Sequence, residues 1–275
     1  MRIIAKDTLV NTQGVRITKI VVTSKHIAAK AQPGQFVVLM KAETSERIPL
    51  TVVDTDKNAG TITLIFQELG FSTKLFGTMN AGDSFYAVVG PLGHATEIKR
   101  YGNVILVGGG VGIAEIYPVA RSLKNAGNTV TTILGSRTKD LLILENELRA
   151  HSDHFFVTTD DGSYGRKGFT TDVLKELLSK SAYDLIYVVG PVPMMRKAAM
   201  TTKEFNARTV VSLNALMVDA TGMCGGCRVT VGNEAKFACV DGPEFDAHQV
   251  DWDELTKRNR VYDQKEKHLC NLHKQ

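Results

Sequence analysis

One stretch constrains the fold more than any other. Asn103-Val104-Ile105-Leu106-Val107 is a continuous apolar run that ends in Gly108-Gly109-Gly110 and opens into helix-like residues from Ile113 to Asn125. An apolar run without alternation is buried on both faces, which for a strand means a parallel sheet covered by helices. The pattern recurs downstream. Thr129 to Leu134, Phe155 to Thr159 and Leu185 to Val189 read as strands. Leu141 to Ala150 and Thr171 to Ser179 read as the helices between them. Strands alternating with helices predict a doubly wound α/β nucleotide domain over residues 98–211.

The first 97 residues differ. Val15 to Val22 alternates with period two, Pro33-Gly34-Gln35 turns into Phe36 to Met40, and Lys57 to Gly60 turns into Thr61 to Phe66. Short alternating strands punctuated by turns predict a small β-barrel or sandwich. From about Ser212 the helical period disappears, and a Gly-rich lobe runs over 212–262 before a polar tail, 263–275.

That lobe carries three of the four cysteines. It reads Asp219-Ala220-Thr221-Gly222-Met223-Cys224-Gly225-Gly226-Cys227, and Cys239 follows. Plant-type two-iron, two-sulfur clusters use C-x4-C-x2-C with a distant fourth cysteine. Here Cys224, Cys227 and Cys239 take the last three places, and Asp219 falls where the first belongs. The fourth ligand is either Asp219, an oxygen donor, or Cys270 from the tail. A structural zinc is the competing reading, with His248 as the spare donor. Crowded cysteines in a reducing compartment indicate metal chemistry rather than disulfides.

Other motifs carry anion-binding chemistry. Arg47-Ile48-Pro49-Leu50-Thr51 offers a guanidinium suited to pyrophosphate and a hydroxyl four positions on. Gly70, Ser72 and Thr73 look like a helix start with free backbone donors. Gly109, Gly110, Val111 and Gly112 form a strand-to-helix turn that fits either a nucleotide phosphate or tight packing. It departs from the strict dinucleotide fingerprint because Ile113 stands in place of the third glycine. Gly190-Pro191-Val192-Pro193-Met194-Met195 ends the last strand of the same sheet, where it could share the ligand. Gly135-Ser136-Arg137 has no acid for a ribose hydroxyl, and Arg137 there reads as NADP. Asp160-Asp161-Gly162 reads as a turn beside that cleft. His94 and Glu68 lie near these motifs and read as lone surface residues.

In this order the motifs resemble the ferredoxin-NADP reductase superfamily, a β-barrel binding FAD followed by a nucleotide domain. With the cysteine lobe, the chain to about Tyr262 resembles the electron-transfer subunits of dihydroorotate dehydrogenase B. It is similar still more to the small subunits of sulfide dehydrogenase and of NADH-dependent ferredoxin:NADP oxidoreductase. The stretches that carry this are Arg47 onward, Met217 to Cys227 and Phe237 to Phe245. Dihydroorotate-type subunits have cysteine where this chain has Asp219. The resemblance implies FAD, a [2Fe-2S] cluster with Asp219 as ligand, and NAD(H) rather than NADP. It also implies a heterodimer with a larger FAD/[4Fe-4S] subunit, ferredoxin reached through that partner, electron bifurcation at the partner's flavin, and no acid, base or nucleophile of its own.

The totals are compatible with this. The 275 residues carry 33 basic and 29 acidic side chains, a net +4 without like-charge blocks, which gives no footprint for nucleic acid. Met1 to Asp7 meets charge at once, unlike a signal peptide. No run approaches the roughly 18 to 20 apolar residues that span a bilayer. The expectation is a cytoplasmic protein with no membrane contact. The reading from another class is a zinc-stapled, non-enzymatic nucleotide-binding regulator.

Overall fold

The computed structural model describes residues 1–12 and 14–272; the side chains of residues 267 and 269–272 lie outside the described residues, and so therefore does the Cys270 thiol. The chain gathers into two compact units. The first joins Met1–Gly93 to Ala215–Asp241 and the chain from Asp251; the second joins His94–Asn214 to Gly242–Val250. Residues 212–262 are thus divided between the two units.

The first unit begins with β1 (Ile3–Thr12), β2 (Val15–Thr23), α1 (Lys25–Lys30), β3 (Phe36–Met40), β4 (Ile48–Thr51), β5 (Asp54–Asp56), β6 (Thr61–Gln67), α2 (Phe71–Thr78) and β7 (Ala87–Leu92). The strands form two antiparallel sheets, β1-β2-β6-β5 and β4-β3-β7. In β2 the alternation sends Ile20 and Val22 inward, where they share one core with Leu64 and Phe66 of β6 and with Val37 and Leu39 of β3. Phe76 of α2 closes that core, edge-on to Phe66 at 6.1 Å and to Phe85 at 5.1 Å. One isolated bridge, Arg2 to Ser84, lies between the two ladders, so the expected barrel is built as two sheets around a common core.

The second unit holds β8 (Asn103–Gly109), α3 (Gly112–Asn125), β9 (Thr129–Ser136), α4 (Glu145–Arg149), β10 (His154–Thr159), β11 (Arg166–Lys167), α5 (Thr170–Lys180), β12 (Leu185–Val189), α6 (Val192–Glu204) and β13 (Thr209–Ser212). Its sheet runs β11-β10-β9-β8-β12-β13 in parallel. Val104 to Val107 are wholly buried, as the unbroken apolar run requires. The order reverses between β8 and β12, so the crevice at their carboxyl ends is the switch point of a doubly wound sheet. The helix expected over Leu141 to Ala150 is shorter. A 3-10 turn at Lys139–Leu141 is followed by Leu144 at φ 53°, and only Glu145–Arg149 is α-helical. Leu141 and Ile143 both bury, and that i, i+2 spacing is met by extended backbone, not by helix.

The remaining elements are β14 (Arg228–Val231), β15 (Glu234–Phe237), β16 (Glu244–Asp246), α7 (Trp252–Asn259) and α8 (Asp263–Leu272). β14 and β15 pair as a hairpin, and β16 adds antiparallel to β13 in the second unit. The two helices correct the expectation that helical structure ends near Ser212. α7 buries a single apolar residue, Leu255, so it has no 3.6-residue stripe to read. Its cap is the visible signal, since the Asp251 carboxylate accepts from the amides of Asp253 and Glu254. No helix among the described residues is long and apolar enough to cross a membrane.

Candidate cofactor sites

The cysteine loop folds back on itself in the first unit. Ala220, Gly222 and Gly225 take positive φ of 59°, 81° and 67°, which turns the chain tightly between Asp219 and Cys227. A Cβ at Gly222 would lie 3.0 Å from Val240, so that side of the turn has no room to spare. Cys239, just beyond β15, brings its sulfur to 3.2 Å from that of Cys227, and its amide donates to the same sulfur at 3.4 Å. Both thiols are buried. Burial first, then the Cys227 sulfur, pushes the Cys239 thiol up to about 12. A thiol raised this far stays neutral until a cation supplies the charge that deprotonates it.

Cys224 is exposed and accepts from the Gly226 amide at 3.4 Å. The Asp219 carboxylate accepts from the amides of Thr221 at 2.8 Å and Cys224 at 3.1 Å, the first of which chiefly holds its pKa below the usual range. It is therefore ionised and sits on the ligand loop. Among the described residues no three such side chains already converge as a metal cage. The donor set nonetheless fits an iron-sulfur cluster: two soft thiols and one carboxylate on a loop with glycines at its closest turns, and a third thiol brought beside Cys227 from the end of β15. His248 does not join it. Its ring hydrogen-bonds Thr202 in the second unit, at 2.9 Å.

Arg47 stands just before β4 in the first unit, and its Nη1 donates to the Asp219 carbonyl at 3.3 Å. Pro49, Leu50 and Thr51 lie along β4, an edge strand that tolerates a proline, paired to Val38, Val37 and Phe36. The Thr73 hydroxyl accepts from the amides of Leu69 and Gly70, both at 3.0 Å, and so shapes the entry to α2. Ser72 donates to the Glu46 carboxylate, and a Cβ on Gly70 would lie 2.8 Å from a carboxylate oxygen of Glu266 in α8. Anionic groups already gather at the start of α2, as its dipole and uncapped amides favour. Glu68 corrects an expectation. Its side chain is only 8% exposed, and it takes a hydrogen bond from Thr18 and a contact from Arg16 across β2 and β6. It is structural.

In the second unit the two glycine loops meet at the switch point. A Cβ on Gly109 would lie 2.4 Å from the Met194 sulfur, and one on Gly190 would lie 3.2 Å from the Gly109 carbonyl. A Cβ on Gly112 would stand 2.8 Å from the carbonyl of Val189 and 3.0 Å from the Cα of Gly190. The open place is Gly110, at φ 57° with nothing within 4 Å of a Cβ. Its amide donates to Gly135, and Val111 begins α3 without a side-chain cap. Three glycines thus serve packing, and one leaves room for a phosphate at a helix N-terminus. Pro191 begins α6 and carries the amides of Met194 and Met195 on its carbonyl; the Met195 side chain is fully buried.

Ser136 ends β9 and Arg137 follows it; their carbonyls accept from the amides of Asp160 and Asp161. Ser136 is buried and donates to Thr138, whereas Arg137 is exposed. The Asp161 carboxylate is held by the amide and hydroxyl of Ser163, which keep its pKa low. The Asp161 carboxylate is thus spent on its own turn.

Two features had no counterpart in the sequence reading. In the second unit a cleft of about 370 Å³, lined by His94, Thr96, Tyr101, Tyr187, Arg208 and Glu244 among others, holds a buried carboxyl. Tyr187 donates to Glu244 at 2.7 Å, Thr96 donates to the same carboxyl, and desolvation raises the carboxyl's pKa. His94 is exposed at the rim. In the first unit Arg258 of α7 reaches the cysteine loop, donating to the carbonyls of Gly225 at 2.9 Å and Gly226 at 3.3 Å. No spacing rule reports which loop a polar terminal helix will touch.

A family model for the iron-sulfur cluster binding domain of dihydroorotate dehydrogenase B matches residues 214–251, and one for the oxidoreductase NAD-binding domain matches 106–200. The chain is 50% identical to the dihydroorotate dehydrogenase B (NAD(+)) electron transfer subunit homolog of Thermotoga maritima, over 89% of this chain and 86% of that one. It is 34% identical to the electron transfer subunit of Geobacillus thermodenitrificans, over 86% and 93%. A solved structure of the NADH-dependent reduced ferredoxin-NADP oxidoreductase, described for flavin-based electron bifurcation, superposes with a TM-score of 0.93. It is 45% identical and covers 100% of this chain and 98% of that one.

Proposed function

The chain belongs to the family of dihydroorotate dehydrogenase B-type electron-transfer subunits, and on that premise we propose that it is the NAD(H)-facing branch of a two-subunit oxidoreductase. It is an electron-transfer oxidoreductase subunit with an NAD-binding domain, an iron-sulfur domain and the flavin-reductase fold. The observation that carries the finer reading is the Arg47 guanidinium on the Asp219 carbonyl, which joins the flavin motif to the cluster loop within one unit.

Bound FAD would supply a carrier able to take electrons in pairs from a nicotinamide and release them singly, and a bound [2Fe-2S] cluster would carry them one at a time. The chain's part is to hold and align these groups. In this reading Arg47 and the α2 amides at Gly70, Ser72 and Thr73 hold the flavin's pyrophosphate, with Pro49, Leu50 and Thr51 along its ring. Gly109 to Gly112 and Gly190, Pro191, Met194 and Met195 cradle the nicotinamide nucleotide, with Ser136, Arg137 and Asp161 at the adenosine end. Cys224, Cys227, Cys239 and Asp219 hold the cluster. A heterodimer is proposed, with a larger cytoplasmic FAD/[4Fe-4S] subunit through which ferredoxin is reached and at whose flavin electrons bifurcate.

The names of the Thermotoga and Geobacillus relatives favour a second reading, electron transfer in dihydroorotate oxidation; Asp219 in place of cysteine weighs against it. A co-purified partner that oxidises dihydroorotate would decide for the second reading. Anaerobically purified wild-type protein is expected to show flavin and cluster absorption; a colourless protein with zinc would overturn the proposal. Asp219→Ala is expected to alter or abolish the cluster's paramagnetic signal while Cys270→Ser leaves it intact. The reverse result would make Cys270 the ligand.

A further inference from the structure

We propose that Arg258 is a positioning residue that raises the reduction potential of the cluster. The inference rests on the cluster assignment above. Arg258 lies in α7, and α7 is fixed to the β14–β15 hairpin. The Asp251 amide donates to Thr230, the Thr230 amide donates to Glu254 at 2.9 Å, and Leu255 is fully buried. Three positions after Leu255, Arg258 shares its face of the helix and reaches the two-residue bridge between Cys224 and Cys227.

The contact has a direction. The peptide between Gly225 and Gly226 is trans, so its C=O and N–H point opposite ways. Its carbonyl accepts from Arg258 Nη2 at 2.9 Å, and its N–H donates to the Cys224 sulfur at 3.4 Å. One guanidinium therefore both aims and polarises the dipole that ends on a ligand sulfur. Gly225 holds this geometry at φ 67°, which favours glycine.

The charge is also uncompensated locally. Among the described residues no carboxylate pairs with Arg258, because Glu254 is turned to Thr230 and Arg228 instead. The Arg258 Nε is buried and, among the described residues, has no hydrogen-bond partner. A buried donor without an acceptor and a cation without a counter-ion are costly unless an anionic group completes the site. A thiolate-ligated cluster is such a group, and it becomes more negative when it takes an electron. A nearby cation and an N–H···S bond both favour that reduced state.

The test uses the assembled holo-complex, with the midpoint potential read by paramagnetic resonance during redox titration and loading by iron and acid-labile sulfide. Arg258→Gln is expected to load the cluster and lower its potential by about 59 mV, a tenfold change in the reduced-to-oxidised ratio of a one-electron couple. Arg258→Lys, which keeps the charge without the planar fork, should fall between the two. Loaded Arg258→Gln with the wild-type potential overturns the proposal. If that variant fails to load, Arg258→Lys decides: a lowered potential supports the proposal and a wild-type one overturns it. Wild-type protein without iron or sulfide would instead sink the cluster assignment itself.

Discussion

At the scale of single residues, three neighbouring glycines do three different jobs. Gly112 separates α3 from β12, Gly109 makes room for Met194, and Gly110 alone combines a left-handed backbone with open space. Gly112→Ala is expected to force helix and strand apart, since the obstructing atoms are backbone, at a cost of about 1–3 kcal/mol of stability. Gly110→Ala should cost about 1–2 kcal/mol of backbone strain and also put a methyl where the phosphate approaches. Thermal melts and NADH titration separate the two: both variants lose stability, and Gly110→Ala loses more affinity than its stability loss accounts for. An NADH affinity unchanged in Gly110→Ala would count against the nucleotide assignment.

Among elements, the second unit shows what a short antiparallel strand adds to a parallel sheet. β16 carries Glu244, whose carboxyl accepts from Tyr187 of β12 and from Thr96. Desolvation raises its pKa, so the fold favours the neutral form more than the unfolded chain does. A folded pKa above the unfolded one contributes stability that is complete below about pH 4.3, the ordinary glutamate value, and is lost as pH rises through the folded pKa. Glu244→Gln keeps an acceptor and removes the ionisation. Its melting temperature relative to wild type is therefore expected to climb between pH 4 and pH 8. A difference that stays flat or falls over that range would refute the assignment of a raised pKa.

On the scale of the whole molecule, the chain passes three times through the first unit, and the last pass braces the cysteine loop. Besides Arg258, Asn259 contributes by accepting from the Leu216 amide at 3.0 Å. Ending the chain after Val250 removes α7 and α8 but leaves the second unit's β16 in place. Such a truncation is expected to lose most of its iron and keep its affinity for NADH. Iron content equal to wild type would show that the hairpin supports the loop alone.

The sequence by itself determined the doubly wound sheet, because short apolar runs such as Val104 to Val107, alternating with helical stretches, fit strands buried on both faces. It also determined the strands of the first unit and, through the spacing of Cys224 and Cys227, that the loop carries a pair of candidate metal ligands. These are local signals, set by periodicity and by donor type. Only the tertiary structure decided which glycine is open, because that depends on Met194 and Val189 arriving from another strand's end. It alone brought Arg47 to Asp219, buried Glu68 and Glu244, and carried Arg258 from a polar helix to the carbonyls of Gly225 and Gly226. Polar helices and buried carboxyls owe their places to partners distant in the chain, and no pattern along it records that distance.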